Sequence, residues 1–281
     1  MVVSPEMRTD CSTERPEPIS DRARKSRRRS TTTLVIGVLL VLVGLGASGY
    51  VVWGLFGTTV IAKDHSKREL ERFYEEHPAG SHSVTDLRTG GNGSAPPVPD
   101  ISAGGTWGVM FVPRWEGAEG VYGETLSNRI PIAQGTGRDV LDNGWAGHYE
   151  GTAPVGQIGN FALAAHRRSY GENFRHLDKL RTGDPIVIET PETWYVYEVT
   201  GAPETVAPSA VEEIAPVPHH PGARPTKRLI TLTTCTSTSV GEWGNDHRLS
   251  VHAELVGWSL RSDGVPPQLS GIAGAEAVTA G

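Results

Sequence analysis

Apolar residues run from Leu34 to Phe56 (LVIGVLLVLVGLGASGYVVWGLF), 23 positions without a charged side chain. At about 1.5 Å of rise per residue, a helix of that length crosses a hydrocarbon core of roughly 30 Å. From Asp64 to Glu76 the pattern changes to strong helix formers, with Leu70, Phe73 and Tyr74 at 3- and 4-residue spacing, which predicts a juxtamembrane helix. Pro78 to Gly105 has no apolar period and is rich in Gly, Ser and Pro, which predicts a flexible spacer. From Thr106 onward the chain breaks into short apolar runs bounded by turn residues, at 107–112, 129–133, 160–166, 185–189, 194–200, 228–235 and 247–256. These predict strands. The last run alternates, with Leu249, Val251, Ala253 and Leu255 on one face and Arg248, Ser250, His252 and Glu254 on the other. One short helix is expected near Glu172–Leu180, and the small, polar residues after Arg261 are expected to form a disordered tail. Many short strands with few helices predict a mainly β domain, a closed or nearly closed barrel, behind one N-terminal transmembrane helix.

Charge adds orientation to this plan. Arg22, Arg24, Lys25, Arg27, Arg28 and Arg29 precede the apolar run, whereas the segment after it mixes both signs. The positive-inside bias puts the N-terminus in the cytoplasm and the domain outside. Ala47–Ser48–Gly49 could serve a signal peptidase, but the apolar run continues past it through Val51, Val52 and Leu55, which favours a retained anchor. The expected organisation is therefore a basic cytoplasmic tail (1–33), an anchor (34–56), a juxtamembrane helix and linker (57–105), a β domain (106–260) and a disordered tail (261–281). A net charge of -6, with no basic face outside the N-terminal segment, gives nucleic acid no electrostatic footprint.

The anchor separates the two cysteines, Cys11 inside and Cys235 outside, so Cys235 is an unpaired thiol in an exported domain. It ends the run Thr231–Leu232–Thr233–Thr234–Cys235 and faces a polar Thr/Ser stretch. A free cysteine taken alone is more often buried and inert. His166 ends another apolar run, and alone would read as a surface histidine; Arg248 opens the last strand, and alone would read as a solvated cation. Together they offer a nucleophile, an acid/base and a fixed positive charge, the parts needed for acyl transfer at an amide. Glu242 and Asp246 read as solvated loop charges. His219–His220, in PVPHHPG, have no companion at ligand spacing and read as surface histidines, so no metal is expected.

The motif TLTTC at 231–235, followed after 12 residues by Arg248, resembles the signature of the sortase family. The block GHYEGTAPVGQIGNFALAAHRRSYGENFRHLDKLRTGDPIVIET at 147–190, with its HRxxYGxxFxxL and GD elements, is similar to class E sortases of high-GC Gram-positive bacteria. The departure is Ala165, where many members have glycine. The resemblance covers about 106–258 and implies a sortase-type closed β-barrel of about eight strands. It implies Cys235 as nucleophile, His166 as general acid and base, and Arg248 as oxyanion stabiliser, with Tyr149 and Thr234 contacting substrate and no cofactor. The implied partners are surface proteins bearing an LAxTG or LPxTG sorting signal and a peptidoglycan precursor amine as acceptor. A pilin-polymerising sortase, a surface cysteine hydrolase and a non-enzymatic barrel adhesion module remain open alternatives from the residues alone.

Overall fold

The structure is a computed structural model that describes residues 20–78, 83–89, 99, 101, 105–120, 123 and 125–270. Cys11 and residues 271–281 lie outside the described residues. Two units are distinguished, the first ending at Val51. The first unit is α1 (Ser20–Val52), apolar over the 22 residues Thr31–Val52, which is long and apolar enough to cross a membrane. Leu34, Leu39, Leu42 and Leu45 are all exposed along it, as lipid-facing side chains would be.

The second unit opens with a π turn at Trp53–Gly57 and α2 (Thr58–Glu76), so the juxtamembrane helix starts six residues before the expected Asp64. The strands follow: β1 (Thr106–Phe111), β2 (Arg129–Gln134), a single turn α3 (Arg138–Leu141), β3 (Ala146–His148), β4 (Gly159–Ala164), β5 (Pro185–Glu189), β6 (Thr193–Val199), β7 (Glu204–Val206), β8 (Arg228–Thr236) and β9 (His247–Leu260). Their order is β6-β5-β1-β2-β3-β4-β8-β9, and β9 returns to pair with β6, closing an eight-stranded barrel. One edge of β9 pairs with β8 while the other serves two partners, β7 near Arg248–Ser250 and β6 beyond Ala253. Closure satisfies the backbone groups that an open sheet would leave at its edges.

The barrel interior is filled by Met110, Ile130, Ile132, Phe161, Leu163, Tyr195, Tyr197, Ile230, Leu232 and Val251. Val109, Phe111, Val187, Trp194 and Val196 point the other way and form a second cluster with Phe73 of α2 and Leu269. This outer layer explains why WGVMFV and PIVIE read as unbroken apolar runs: both faces of those strands are covered. Each such side chain contributes about 1.5–3 kcal/mol by leaving water.

Some described residues flanking the barrel pack against it, whereas 79–82, 90–98, 100 and 102–104 of the expected spacer lie outside the described residues. Within the stretch expected to be spacer, Arg88 exchanges backbone hydrogen bonds with Trp258 (2.7 and 3.1 Å), and its guanidinium lies 4.9 Å from the Trp258 ring. In the stretch expected to be tail, Arg261 is buried, pairs with Glu189 at 2.8 Å and donates to the carbonyls of His77 and Pro191. Tyr74 of α2 donates to the same Glu189 at 2.9 Å. Burial pushes the Glu189 carboxyl up to about 7 against the pull of Arg261. A small, polar composition conceals this packing because a few anchors carry it: Arg261, Val265 and Leu269. The expected helix near Glu172–Leu180 shrinks to a 3-10 turn at Leu177–Lys179, since Tyr170, Gly171 and Glu172 all take positive φ just before it.

Candidate functional site

The site is built where β4 and β8 run parallel. Their register pairs Ala164 with Thr233, and the pairing continues one step as Ala165 N donates to the Thr233 carbonyl (3.3 Å). The next residues, His166 and Cys235, leave neighbouring strands at the same end of the barrel. Neighbouring strands stand about 4.8 Å apart, so the two side chains reach the same mouth. Thr234 Oγ1 fastens this end by donating to the Ala165 carbonyl at 2.7 Å.

On the other side of β8, the antiparallel register with β9 sets Cys235 directly opposite Arg248. Directly opposed residues point to the same face of a sheet. The outward face therefore carries three stacked pairs, Thr231 with His252, Thr233 with Ser250 and Cys235 with Arg248. Arg248 Nη1 donates to the carbonyls of Asn245 and His247, both at 3.0 Å, which fixes the guanidinium on the strand opposite Cys235. Cys235 is a free thiol of intermediate exposure, and His166 is 28% exposed, so both are accessible.

Strand alternation separates the two threonines before the cysteine. Thr233 shares the face of Cys235, and its hydroxyl shares a 3.0 Å hydrogen bond with Tyr149. Thr234, expected as a substrate contact, lies on the opposite face, is buried, and holds the Ala165 carbonyl. The structure thus brings Cys235, His166, Arg248 and Tyr149 to one face and leaves Thr234 beneath them. Tyr149 follows β3, where Gly147 has no room for a side chain: an added Cβ would collide with the Gly135 carbonyl. His148 beside it is wedged between Gln134 and Thr152 (2.8 and 2.9 Å), and burial pushes its ring below the usual histidine range.

Two residues hold the histidine: Asp142, which has no sequence signal of its own, and Tyr170, which the sequence marks only as a letter of the HRxxYGxxFxxL motif. His166 Nε2 donates to Asp142 Oδ1 at 2.8 Å, and Tyr170 stacks on the other side of the ring at 5.0 Å between centroids. Asp142 follows α3, 24 positions upstream, and only the fold brings it near. Asn143, next to it, meets His65 of α2 at 2.5 Å, so α2 braces the segment that holds the histidine. Arg167 is buried and donates to Thr236 Oγ1 at 2.7 Å while pairing with Asp178 at 3.1 Å, which ties the histidine loop to the end of β8. Glu242, expected to be a solvated charge, pairs with Arg175 at 3.1 Å, and Arg168 Nη1 donates to the Trp243 carbonyl at 2.8 Å. The elements of HRRSYGENFR thus have identifiable tasks: Arg167, Arg168 and Arg175 bridge to the cysteine loop, Tyr170 supports the histidine, and Phe174 enters the core.

Comparison with known proteins points the same way. The family model described as the sortase domain matches residues 124–256. Sortase SrtE2 of Streptomyces coelicolor is 32% identical over 254 residues, covering 88% of this chain and 91% of that protein. Sortase SrtE1 of the same organism is 31% identical over 254 residues, covering 88% of this chain and 64% of that protein. Among solved structures, the SrtA sortase from Actinomyces oris is similar with a TM-score of 0.57 and 49% identity, over 63% of this chain and 94% of that one. A relative matched along nearly its whole length, on a barrel that closes as described, establishes that this chain belongs to the sortase family of cysteine transpeptidases, with sortase E proteins among its relatives.

Proposed function

We propose that the protein is a single-pass membrane enzyme that cleaves a C-terminal sorting signal of the LAxTG or LPxTG type between Thr and Gly and transfers the acyl part to a cell-wall amine. The observation that carries this reading is the shared mouth of β4, β8 and β9, with Cys235 opposite Arg248 and in line with His166. The Cys235 thiolate attacks the threonine carbonyl carbon, and Arg248 donates to the oxygen as it gains charge. The C–N bond then breaks, the glycine nitrogen leaves with a proton from His166, and a thioester remains on Cys235. An incoming amine attacks that thioester, gives its surplus proton to His166 and releases the thiolate. The basic residues before the apolar helix support a cytoplasmic N-terminus and an external catalytic domain.

Asp142 positions the histidine in this scheme. Asp142→Ala is expected to lower kcat roughly 10-fold, the effect of losing a hydrogen bond of about 1.4 kcal/mol, with KM little changed. Steady-state kinetics on a fluorogenic sorting peptide separates the two constants; a change confined to KM would remove Asp142 from the proton-transfer step.

Substrate choice tests the reading further. An alanine at the second position of the signal has an amide N–H that proline lacks, and proline fixes its own φ near -65°. Tyr149, whose hydroxyl stands over Thr233 on the floor of the site, is placed to accept from that N–H. LAxTG is therefore expected to exceed LPxTG in kcat/KM by roughly 5- to 150-fold, the equivalent of about 1–3 kcal/mol, and Tyr149→Phe to shrink the gap. Equal use of both peptides by the wild type would overturn the proposed preference. A gap unchanged in Tyr149→Phe would remove the tyrosine from its explanation.

A further inference from the structure

At the far end of the same face, two histidines and two carboxylates converge from three parts of the chain. His252 lies on β9, four residues beyond Arg248, which is roughly 13 Å along a strand. Glu204 opens β7 on the neighbouring edge. His219 comes from the long connection between β7 and β8 and takes φ +62°, a backbone conformation uncommon for a residue with a side chain. One ligand atom from each of Glu204, His219 and His252 lies within 4.8 Å of the others.

We propose that His219, His252 and Glu204 bind a divalent transition-metal ion of the zinc type, which clasps the β7–β8 connection to β9. The ring nitrogens are already sorted for this task. His219 Nδ1 stands 3.2 Å from the buried Glu213 Oε1, and His252 Nδ1 stands 2.9 Å from Thr231 Oγ1. Each Nδ1 is thus held by a protein partner, which presents Nε2 as the ligand, the arrangement in which a carboxylate or hydroxyl orients a metal-binding imidazole. His219 Nε2 faces Glu204 Oε2 at 3.9 Å, and His252 Nε2 shares a 3.1 Å hydrogen bond with Glu213 Oε2, which the ion would replace while Glu213 keeps His219 Nδ1. Donors around a tetrahedral zinc at about 2.1 Å lie roughly 3.4 Å apart, so closing the site takes small side-chain rotations. Glu204 and His219, 50% and 44% exposed, are free to make them. Glu213 stays beneath as the support: Ser250 Oγ donates to it at 2.6 Å, and its carbonyl accepts from Asn160 Nδ2 at 3.2 Å.

Two imidazoles with one carboxylate select zinc, cobalt or nickel over calcium and magnesium, which take oxygen ligands. The fold supplies what the sequence spacing of His219–His220 lacked, namely Glu204 from 15 positions upstream and His252 from 33 positions downstream. This inference does not depend on the transpeptidation reading, because it is read from binding alone.

The test uses the untagged full-length chain in detergent micelles, stripped of metal and titrated with Co²⁺ and then Zn²⁺. Co²⁺ is expected to bind one per chain with the strong visible bands of tetrahedral coordination, to be displaced by Zn²⁺, and to raise the melting temperature. His219→Ala and Glu204→Gln, both on exposed side chains, should lose the bands, and His220→Ala, beside the site, should keep them. Failure of the wild type to take up Co²⁺ would overturn the proposal. So would bands that survive His219→Ala, which would place the ion on a cysteine instead.

Discussion

Cys235→Ala is expected to eliminate transpeptidation while Cys11→Ala leaves it intact. The barrel places one described thiol at the mouth shared by β4, β8 and β9, opposite Arg248 and two residues past Thr233, whose partner Ala164 leads to His166. Among the described hydroxyls of that face, Thr233 is buried and spends its hydroxyl on Tyr149 and the Leu163 carbonyl, and Ser250 and Thr231 are buried and donate to Glu213 and Asn160. Removing the nucleophile of a covalent acyl-transfer enzyme costs about 10⁴-fold or more in kcat. The side chain is small and partly exposed at a strand end, so the alanine variant should fold normally, which near-UV circular dichroism checks. Residual cleavage by Cys235→Ala within about 10-fold of wild type, equivalent to about 1.4 kcal/mol, would put the nucleophile elsewhere.

Arg248→Lys carries the second large effect. Arg248 Nη1 is committed to two backbone carbonyls at the mouth, which leaves the rest of the planar guanidinium to meet the substrate oxygen. A lysine keeps the charge but cannot hold those carbonyls and donate to the oxyanion in one fixed geometry. Loss of one preorganised donor at such a site costs about 10²–10³ in rate. The effect should appear in kcat/KM for peptide cleavage, and Arg248→Ala should be no better than the lysine variant. Near wild-type kcat/KM in Arg248→Lys would reduce the arginine to a general positive field.

Much of this architecture was legible in the sequence because each barrel strand has a local signature. The alternation of Leu249, Val251 and Ala253 with Arg248, Ser250 and His252 marks one face of β9 as core and the other as site, and the structure keeps that division. Two strand ends, each carrying a reactive residue, were legible as well, and the β4–β8 register sets those ends on neighbouring strands. Closure itself was expected from the many short strands, but the pair that makes it was not legible, because β6 and β9 are segments about 60 residues apart and their pairing depends on topology. Asp142 was hidden for the same reason: a carboxylate in a polar turn has no pattern that distinguishes it from a solvated one. The choice between Thr233 and Thr234 was available from strand alternation, since only the former lies an even number of positions from Cys235. The packing of Arg88 and Arg261 was concealed by composition, because both are charged residues that stack on or pair beneath the barrel wall.

The account rests on a thioester at one atom, and intact-mass spectrometry reads it directly. The full-length chain in detergent is mixed with an LAxTG peptide, or with its LPxTG counterpart, in the absence of an added amine, quenched in acid and mapped by proteolysis. The expected result is an added mass equal to the peptide up to and including threonine, located on the fragment that holds Cys235. It should disappear on addition of an amine and be absent from Cys235→Ala. Cleavage of the peptide with no acyl group on Cys235 at any time point would contradict the account.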